Sequence, residues 1–210
     1  MPKLQSFDVD PANASLTGFL SNATGATWTL TATSSGDSLA HRVSIRNDSA
    51  TDHSGKTAIL TGTDADGNAQ TETVTLPGTS ATIESTKYFL SLTTVVPSAT
   101  ISSDTMDIGW VDEVSTKTFV MNRHASTGAL VQVDVTGTID FTVQVSAGDP
   151  QNMSSDQESM PWIAAQDTDL VTQTTDISGH LDVHTTAMRL IVNSYTDTAE
   201  LQAYISQGYQ

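Results

Sequence analysis

Short alternations of apolar and polar residues recur along most of the chain. Trp28 and Leu30 alternate with threonines, and Val43 and Ile45 alternate with polar residues after a turn at 34–37. A period of two residues is typical of a β-strand, because successive side chains point to opposite faces of the sheet. The pattern predicts two strands here, paired antiparallel.

The strongest hairpin signal lies between residues 59 and 76. Two threonine-rich runs flank a turn that contains Asp64, Asp66, Gly67 and Asn68. These residue types tolerate the positive φ that tight hairpin turns require. We therefore predict a β-hairpin at this position.

The same alternation predicts strands through the rest of the chain. They are expected at 82–84, 88–96, 106–110, 114–121, 130–135, 139–145, 188–192 and 201–205. The pair around Gly137 is predicted to form a hairpin, and the last two strands are joined by a turn at 193–198. No segment has a long apolar period of 3.6 residues, so helix is expected to be minor.

Turn signals recur at nearly the spacing of roughly 8 to 12 residues that is typical of β-sandwiches. We predict an all-β, antiparallel β-sandwich fold of the jelly-roll or immunoglobulin-like kind. The charged pair Asp112 and Glu113 divides the strands into two predicted domains, 23–112 and 113–210, although one larger sandwich also fits 210 residues. Residues 1–22 have few periodic apolar positions and are predicted to form an N-terminal arm.

Composition supports strands and argues against several classes of function. The chain has 34 Thr and 24 Ser against 8 Lys plus Arg, and threonine suits half-buried strands. A net charge of −16 argues against nucleic acid as a partner. Cysteine is absent, which excludes disulfides and thiolate ligands. No window approaches the roughly 20 apolar residues of a membrane span, and no signal peptide is visible, so we expect synthesis in a cytoplasm and no membrane partner.

Asp64, Asp66 and Asn68 imitate the start of a calcium-binding loop, in which alternating oxygen atoms surround the cation. In such a loop the sixth residue is glycine and the twelfth is glutamate, whereas here they are Ala69 and Thr75. A plain hairpin turn is therefore the preferred interpretation.

His180, Asp182 and His184 form the sharpest cluster of potential metal ligands. Their spacing places all three on one face of a strand, but it also suits a solvated strand or loop. Because no second set of ligands accompanies them, we predict no metal and no cofactor.

The sequence contains none of the local motifs that identify common catalytic sites. A nucleophile elbow, a zinc-protease helix motif and a phosphate-binding glycine loop are all missing. A site assembled from distant residues remains an alternative. We predict that the protein is not an enzyme.

Several segments resemble structural proteins of tailed-bacteriophage virions. They are GTDADG at 62–67, TETV at 71–74, STKYF at 85–89 with the following strand around Val95, MRLIVNS at 188–194, and QG at 207–208. The similarity covers roughly residues 50–110 and 185–210 and consists of turn and strand residues. It carries over no catalytic residue.

This resemblance implies a β-rich virion component. We expect a capsid decoration or cement protein that binds the major capsid protein on the capsid exterior and stabilises the head by burying an interface, as a trimer or dimer. Synthesis would take place in the bacterial host cytoplasm. The alternatives are a tail, neck or fibre-associated virion protein, and a carbohydrate-binding adhesion module with a groove lined by aromatic residues.

In the decoration role, the arm and the polar loop 147–179 are expected to contact the partner, although both are equally compatible with simple mobility. The expected contact residues are Phe7, Phe19, Leu20, Trp162 and Tyr209.

Overall fold

The structure of the protein is a computed structural model. It describes residues 3–102, 104–121, 128–148, 157–181 and 184–207. Within these ranges the chain forms fifteen β-strands and two single-turn 3₁₀ helices, and no α-helix. The strands are β1 (Lys3–Val9), β2 (Ser15–Ala23), β3 (Ala40–Asn47), β4 (Thr57–Thr63), β5 (Ala69–Thr75), β6 (Thr82–Phe89), β7 (Ser91–Pro97), β8 (Met106–Ser115), β9 (Phe119–Val120), β10 (Ala129–Thr136), β11 (Ile139–Ser146), β12 (Ile163–Ala164), β13 (Ile177–Leu181), β14 (Ala187–Tyr195) and β15 (Glu200–Gln207).

The strands pair antiparallel to form sheets, which confirms the predicted all-β fold. Within the described ranges, no helix has the length and apolar character needed to cross a bilayer. The chain divides into two compact units. Unit 1 comprises Met1–Pro11 and Glu113–Gln210, and unit 2 comprises Ala12–Asp112.

Unit 2 contains two sheets and one apolar core. In the first sheet β4 lies between β5 and β7, and in the second β3 lies between β6 and β8, with β2 along β8. Side chains such as Val43, Ile45, Leu60, Leu92 and Ile108 are fully buried in the core. Alternation along β4 and β5 contributes to this core, because every second side chain of these strands points inward.

The hairpin predicted between residues 59 and 76 is confirmed. β4 and β5 pair along their whole length, with Ile59 opposite Thr73. Gly67 has a φ of 85° in the connecting turn. Glycine adopts this conformation without a steric penalty.

Two predictions for the amino-terminal part of unit 2 are wrong. Trp28 forms an isolated bridge to Val95 instead of starting a strand. The reason is that the backbone N–H groups of Thr31 and Ala32 both donate to Phe19 O. The segment therefore does not pair in a ladder with β3.

Two stretches of the predicted arm 1–22, residues 3–9 and 15–22, lie in strands. β1 pairs with β15 from Lys3↔Gln207 to Val9↔Leu201 and belongs to unit 1. β2 pairs with β8 and belongs to unit 2. The pairing partners lie far away along the chain, so the local pattern of residues 1–22 does not reveal them.

Unit 1 is also made of two sheets. One has the strand order β1-β15-β10-β13. In the other, β11 lies between β12 and β14, and β14 also pairs with β9 and with Val114 and Ser115 of β8. Val131, Val133, Phe141, Val143 and Ala203 are fully buried.

The predicted hairpin around Gly137 is wrong, although both of its strands exist. β10 belongs to one sheet of unit 1 and β11 to the other. Each strand directs its buried side chains inward, and burying both apolar faces favours opposite sheets over adjacent positions. The chain changes sheet in the same way between β14 and β15.

Candidate partner-binding surfaces

One exposed sheet surface in unit 1 is the outer face of β1-β15-β10-β13. The register aligns Leu4, Ser206, Leu130 and His180 in one row across the four strands. Leu4 is 68% exposed and Leu130 is 40% exposed. One end of this outer face therefore offers aliphatic side chains to solvent.

The opposite end of the outer face is acidic. Asp8, Gln202 and Asp134 form a row four residues further along the strands, and Glu200 lies beyond them on β15. Gln202 Nε2 donates to Asp8 Oδ1 at 2.6 Å, which holds the two side chains together. The row lies about 13 Å from the aliphatic row, given the rise per residue of a strand. The outer face thus combines an apolar end with a negatively charged end.

A cleft with a volume of about 590 Å³ lies near β11 and β13 in unit 1. Its lining residues are Val145, Ser146, Ala147, Pro161, Ile163, Gln166, His180, Leu181, His184 and Thr185. Half of the ten lining residues are aliphatic, and the lining contains no aromatic ring apart from the two imidazoles. This lining does not match the aromatic groove expected of a carbohydrate-binding module.

Both histidines of the cluster of potential metal ligands line this cleft, whereas Asp182 lies outside the described residues. His180 N donates to Asp167 Oδ2 at 2.8 Å. Hydrogen bonds from the backbone of His180 and of Asp169 lower the pKa of Asp167. Across the ranges that the structure covers, no three His, Asp or Glu side chains are grouped to hold a metal ion.

Trp162 packs against its own unit. Its Nε1 donates to Gln157 O at 2.8 Å, and the Arg189 guanidinium lies 4.6 Å from its ring centroid. Arg189 is buried and also donates to Glu158 and to Gln144. The cation–π contact and the hydrogen bonds fix this part of the polar loop on β14.

The other predicted contact residues occupy different environments. Phe7 is half-buried and stacks on Phe119, with ring centroids 4.2 Å apart. Phe19 and Leu20 are core residues of unit 2, so their prediction as contact residues is corrected. Leu20 lies opposite Ile108 where β2 pairs with β8, and both side chains belong to this core. Tyr209 lies outside the described residues.

Asp64 acts as a cap for the hairpin turn. Its Oδ1 accepts hydrogen bonds from Asp66 N at 2.9 Å and from Asn68 N at 2.8 Å. The residue is buried, with its carboxylate directed at the turn's own backbone. This arrangement accounts for the pattern of acidic residues as a local turn motif.

A buried polar cluster in unit 2 has no counterpart in the sequence analysis. His41 Nε2 lies 2.7 Å from Asp37 Oδ2, and His41 Nδ1 lies 3.0 Å from Val111 O. Ser35 Oγ donates to Asp37 Oδ1 at 2.6 Å. The hydroxyl contacts the carboxylate and not the imidazole, so these three groups are not arranged as a nucleophile with its base. The spacing of four residues between Asp37 and His41 was the only available signal.

Burial and hydrogen bonding act on the pKa of Asp37 in opposite directions. Burial raises its pKa, but donation from His41, from Ala12 N and from Ser35, together with the charge of His41, lowers the pKa well below its ordinary value. The carboxylate also accepts from Leu39 N at 3.0 Å. Asp37 therefore ties the start of unit 2, at Ala12, to the loop before β3.

No protein-family model matches the chain, and no curated protein matches its sequence. Among solved structures, the chain is similar to the crystal structure of PBSX exported protein XepA, with 9% identity, coverage of 99% of this chain and 86% of that chain, and a TM-score of 0.26. It is also similar to the major capsid protein P2 from bacteriophage PM2, with 8% identity, coverage of 98% of both chains and a TM-score of 0.22. Similarity this low carries no argument about function.

Proposed function

We propose that the protein is a non-enzymatic structural component of a bacteriophage virion that decorates the capsid exterior. The observation that carries this proposal is the outer face of β1-β15-β10-β13, where exposed Leu4 and Leu130 lie in one row beside an acidic end. Exposed aliphatic side chains in register are suited to binding a protein surface. The resemblance of the turn and strand segments to tailed-phage structural proteins supports the choice of partner.

Charge indicates which capsid surface fits this outer face. Asp8, Asp134 and Glu200 are suited to basic side chains of the major capsid protein, while Leu4 and Leu130 would bury against its apolar groups. The strongly negative net charge of −16 favours steering toward a basic surface. Binding would exclude water from the aliphatic row and place the charged row at the rim.

The size of the outer face suggests how decoration would stabilise a head. Four strands of about seven residues cover on the order of 450 Å², from the strand spacing and the rise per residue. A specific stable interface buries about 800 Å² on each partner, so one such contact is expected to be weak. Many symmetric copies on a capsid would multiply that affinity through avidity.

A binding experiment with purified capsids that lack this chain tests the proposal. Wild-type protein is expected to co-sediment with the capsids, and Leu130→Asp is expected to weaken binding about tenfold by placing a charge in the aliphatic row. Val120→Asp is the matched control, because Val120 is 39% exposed on β9, outside this outer face. Failure of the wild type to bind, or equal loss in both variants, would contradict the proposal.

Copy number distinguishes decoration from the other virion positions. Quantitative mass spectrometry of purified particles would measure copies of this chain relative to the major capsid protein. Hundreds of copies per particle are expected for decoration of the head. A dozen or fewer would assign the chain to the neck, tail tip or fibres, and none would exclude a virion component.

A further inference from the structure

Unit 2 has a second uncovered sheet surface with an unusual composition. The outer face of β5-β4-β7, which we call the threonine face, consists of residues that are exposed or half-buried. Its side chains are eight threonines, two serines, one alanine, one isoleucine and one valine. One of the two serines, Ser98, directly follows β7. Ile59 and Val96 lie directly opposite each other on this face and are 46% and 51% exposed.

No charged side chain belongs to the threonine face, although the chain carries a net charge of −16. Glu72 on β5 turns to the other side, where it accepts hydrogen bonds from Thr86 N at 2.7 Å and Lys87 N at 3.0 Å. Asp64 is buried in the hairpin turn. The carboxylates of Glu72 and Asp64 are thus directed away from the three strands, and the exposed Asp66 lies in the turn beyond them.

We propose that the threonine face binds the same face of a second copy of this chain. Two molecules with this charge repel each other over most of their surfaces, and like charges that meet in an interface are costly. A cationic partner would be attracted to the acidic surfaces instead. The charge-free face is the place where another equally acidic molecule can approach, and Ile59 and Val96 supply apolar surface to bury there.

The geometry suits a symmetric contact between two copies. β4 is the central strand of its sheet, so Ile59 and Thr61 lie close to the middle of the face. Two sheets that pack face to face are separated by about 10 Å, which β-branched side chains fill well. An isologous contact would bring Ile59 near its counterpart in the second copy.

The area predicts a weak dimer. Three strands of about seven residues cover on the order of 350 Å² per copy, compared with about 800 Å² per partner in stable complexes. We therefore expect association that depends on protein concentration and strengthens at high salt, because salt screens the repulsion between the acidic surfaces. The proposal does not rest on the capsid role and holds for the isolated protein.

Sedimentation equilibrium from micromolar to millimolar protein, at low and high salt, tests the association. Ile59→Asp is expected to weaken dimerisation about tenfold or more, because it introduces like charges into the contact. Leu16→Asp is the control, since Leu16 is 36% exposed on β2 of the same unit and lies outside the threonine face. A wild type that stays monomeric in all conditions, or equal weakening by both substitutions, would overturn the proposal.

Crosslinking provides a second test that tolerates weak binding and needs only a mild substitution. The chain has no cysteine, so Ile59→Cys and Leu16→Cys each introduce a single thiol. Under oxidising conditions Ile59→Cys is expected to form an intermolecular disulfide much faster than Leu16→Cys. Equal rates would overturn the threonine face as the contact surface.

Discussion

At the scale of single residues, the half-buried Asp37 shows how the fold stabilises a carboxylate that is partly withdrawn from water. Its carboxylate accepts hydrogen bonds from Ala12 N at 2.7 Å, Leu39 N at 3.0 Å and Ser35 Oγ at 2.6 Å, and it lies 2.7 Å from His41 Nε2. A carboxylate that accepts several hydrogen bonds is stabilised in its charged form. Asp37 thus offsets its desolvation through contacts with three separate parts of unit 2.

We expect Asp37→Asn to lower the free energy of unfolding at neutral pH by about 3 kcal/mol, because it leaves the buried His41 without its charged partner. The lowered pKa of Asp37 means that its contribution is present above its unfolded pKa of about 3.9 and is lost as pH falls toward its folded value. Urea unfolding at pH values above and below 4 measures the difference between wild type and variant.

The difference in unfolding free energy is expected to be largest near neutral pH and to shrink in acid. Asp52→Asn serves as a control, because Asp52 is exposed and its pKa is lowered through hydrogen bonds from the nearby Ser54. A pH-independent difference between wild type and Asp37→Asn would contradict the electrostatic account.

At the scale of elements, β1 is part of the fold of unit 1 and not an independent arm. It pairs with β15 over seven residues, and Phe7 stacks on Phe119 beneath the sheet. Leu4 lies on the opposite face of β1 from Phe7, and its side chain is exposed to solvent. The two faces of β1 therefore have separate roles.

Substitution on the two faces of β1 distinguishes these roles. Phe7→Ala is expected to lower the free energy of unfolding by about 2 kcal/mol, a partial loss because Phe7 is only half-buried. Leu4→Ala should change stability by less than about 0.5 kcal/mol, as is usual for an exposed position. Chemical denaturation of both variants measures the contrast. Equal and negligible effects would indicate that β1 is only loosely attached.

At the scale of the whole molecule, the surplus of negative charge opposes compaction. The chain has 24 Asp plus Glu against 8 Lys plus Arg, and few of the carboxylates have a basic partner available. Repulsion of this kind is screened by salt. Stability should therefore depend on ionic strength throughout the fold.

We expect the melting temperature to rise when sodium chloride is increased from low to physiological ionic strength, because screening relieves the repulsion. Differential scanning calorimetry at constant pH measures the shift. Calorimetry with increasing concentrations of an uncharged osmolyte in place of sodium chloride controls for effects of the solute other than screening. A melting temperature that falls with salt would show that attractive ion pairs, such as Arg46 with Asp107 at 2.7 Å, outweigh the repulsion.

The candidate surfaces were only partly accessible to sequence reasoning. Phe19, Leu20 and Trp162 are predicted contact residues by their apolar or aromatic character. The core of unit 2 buries Phe19 and Leu20, and Trp162 packs on Arg189. Apolar residues in cores and in binding surfaces look the same in a sequence. The row that joins Leu4 to Leu130 exists only because β15 lies between β1 and β10.

The sequence by itself determined that the protein is built of strands and which side of most strands is apolar. Alternation and turn chemistry are local properties, so the hairpin of β4 and β5 follows from residues 57–75 alone. Only the tertiary structure decided which sheets the strands enter. Lys3 pairs with Gln207, and β10 and β11 separate into different sheets, because these choices depend on burying apolar faces contributed by distant segments.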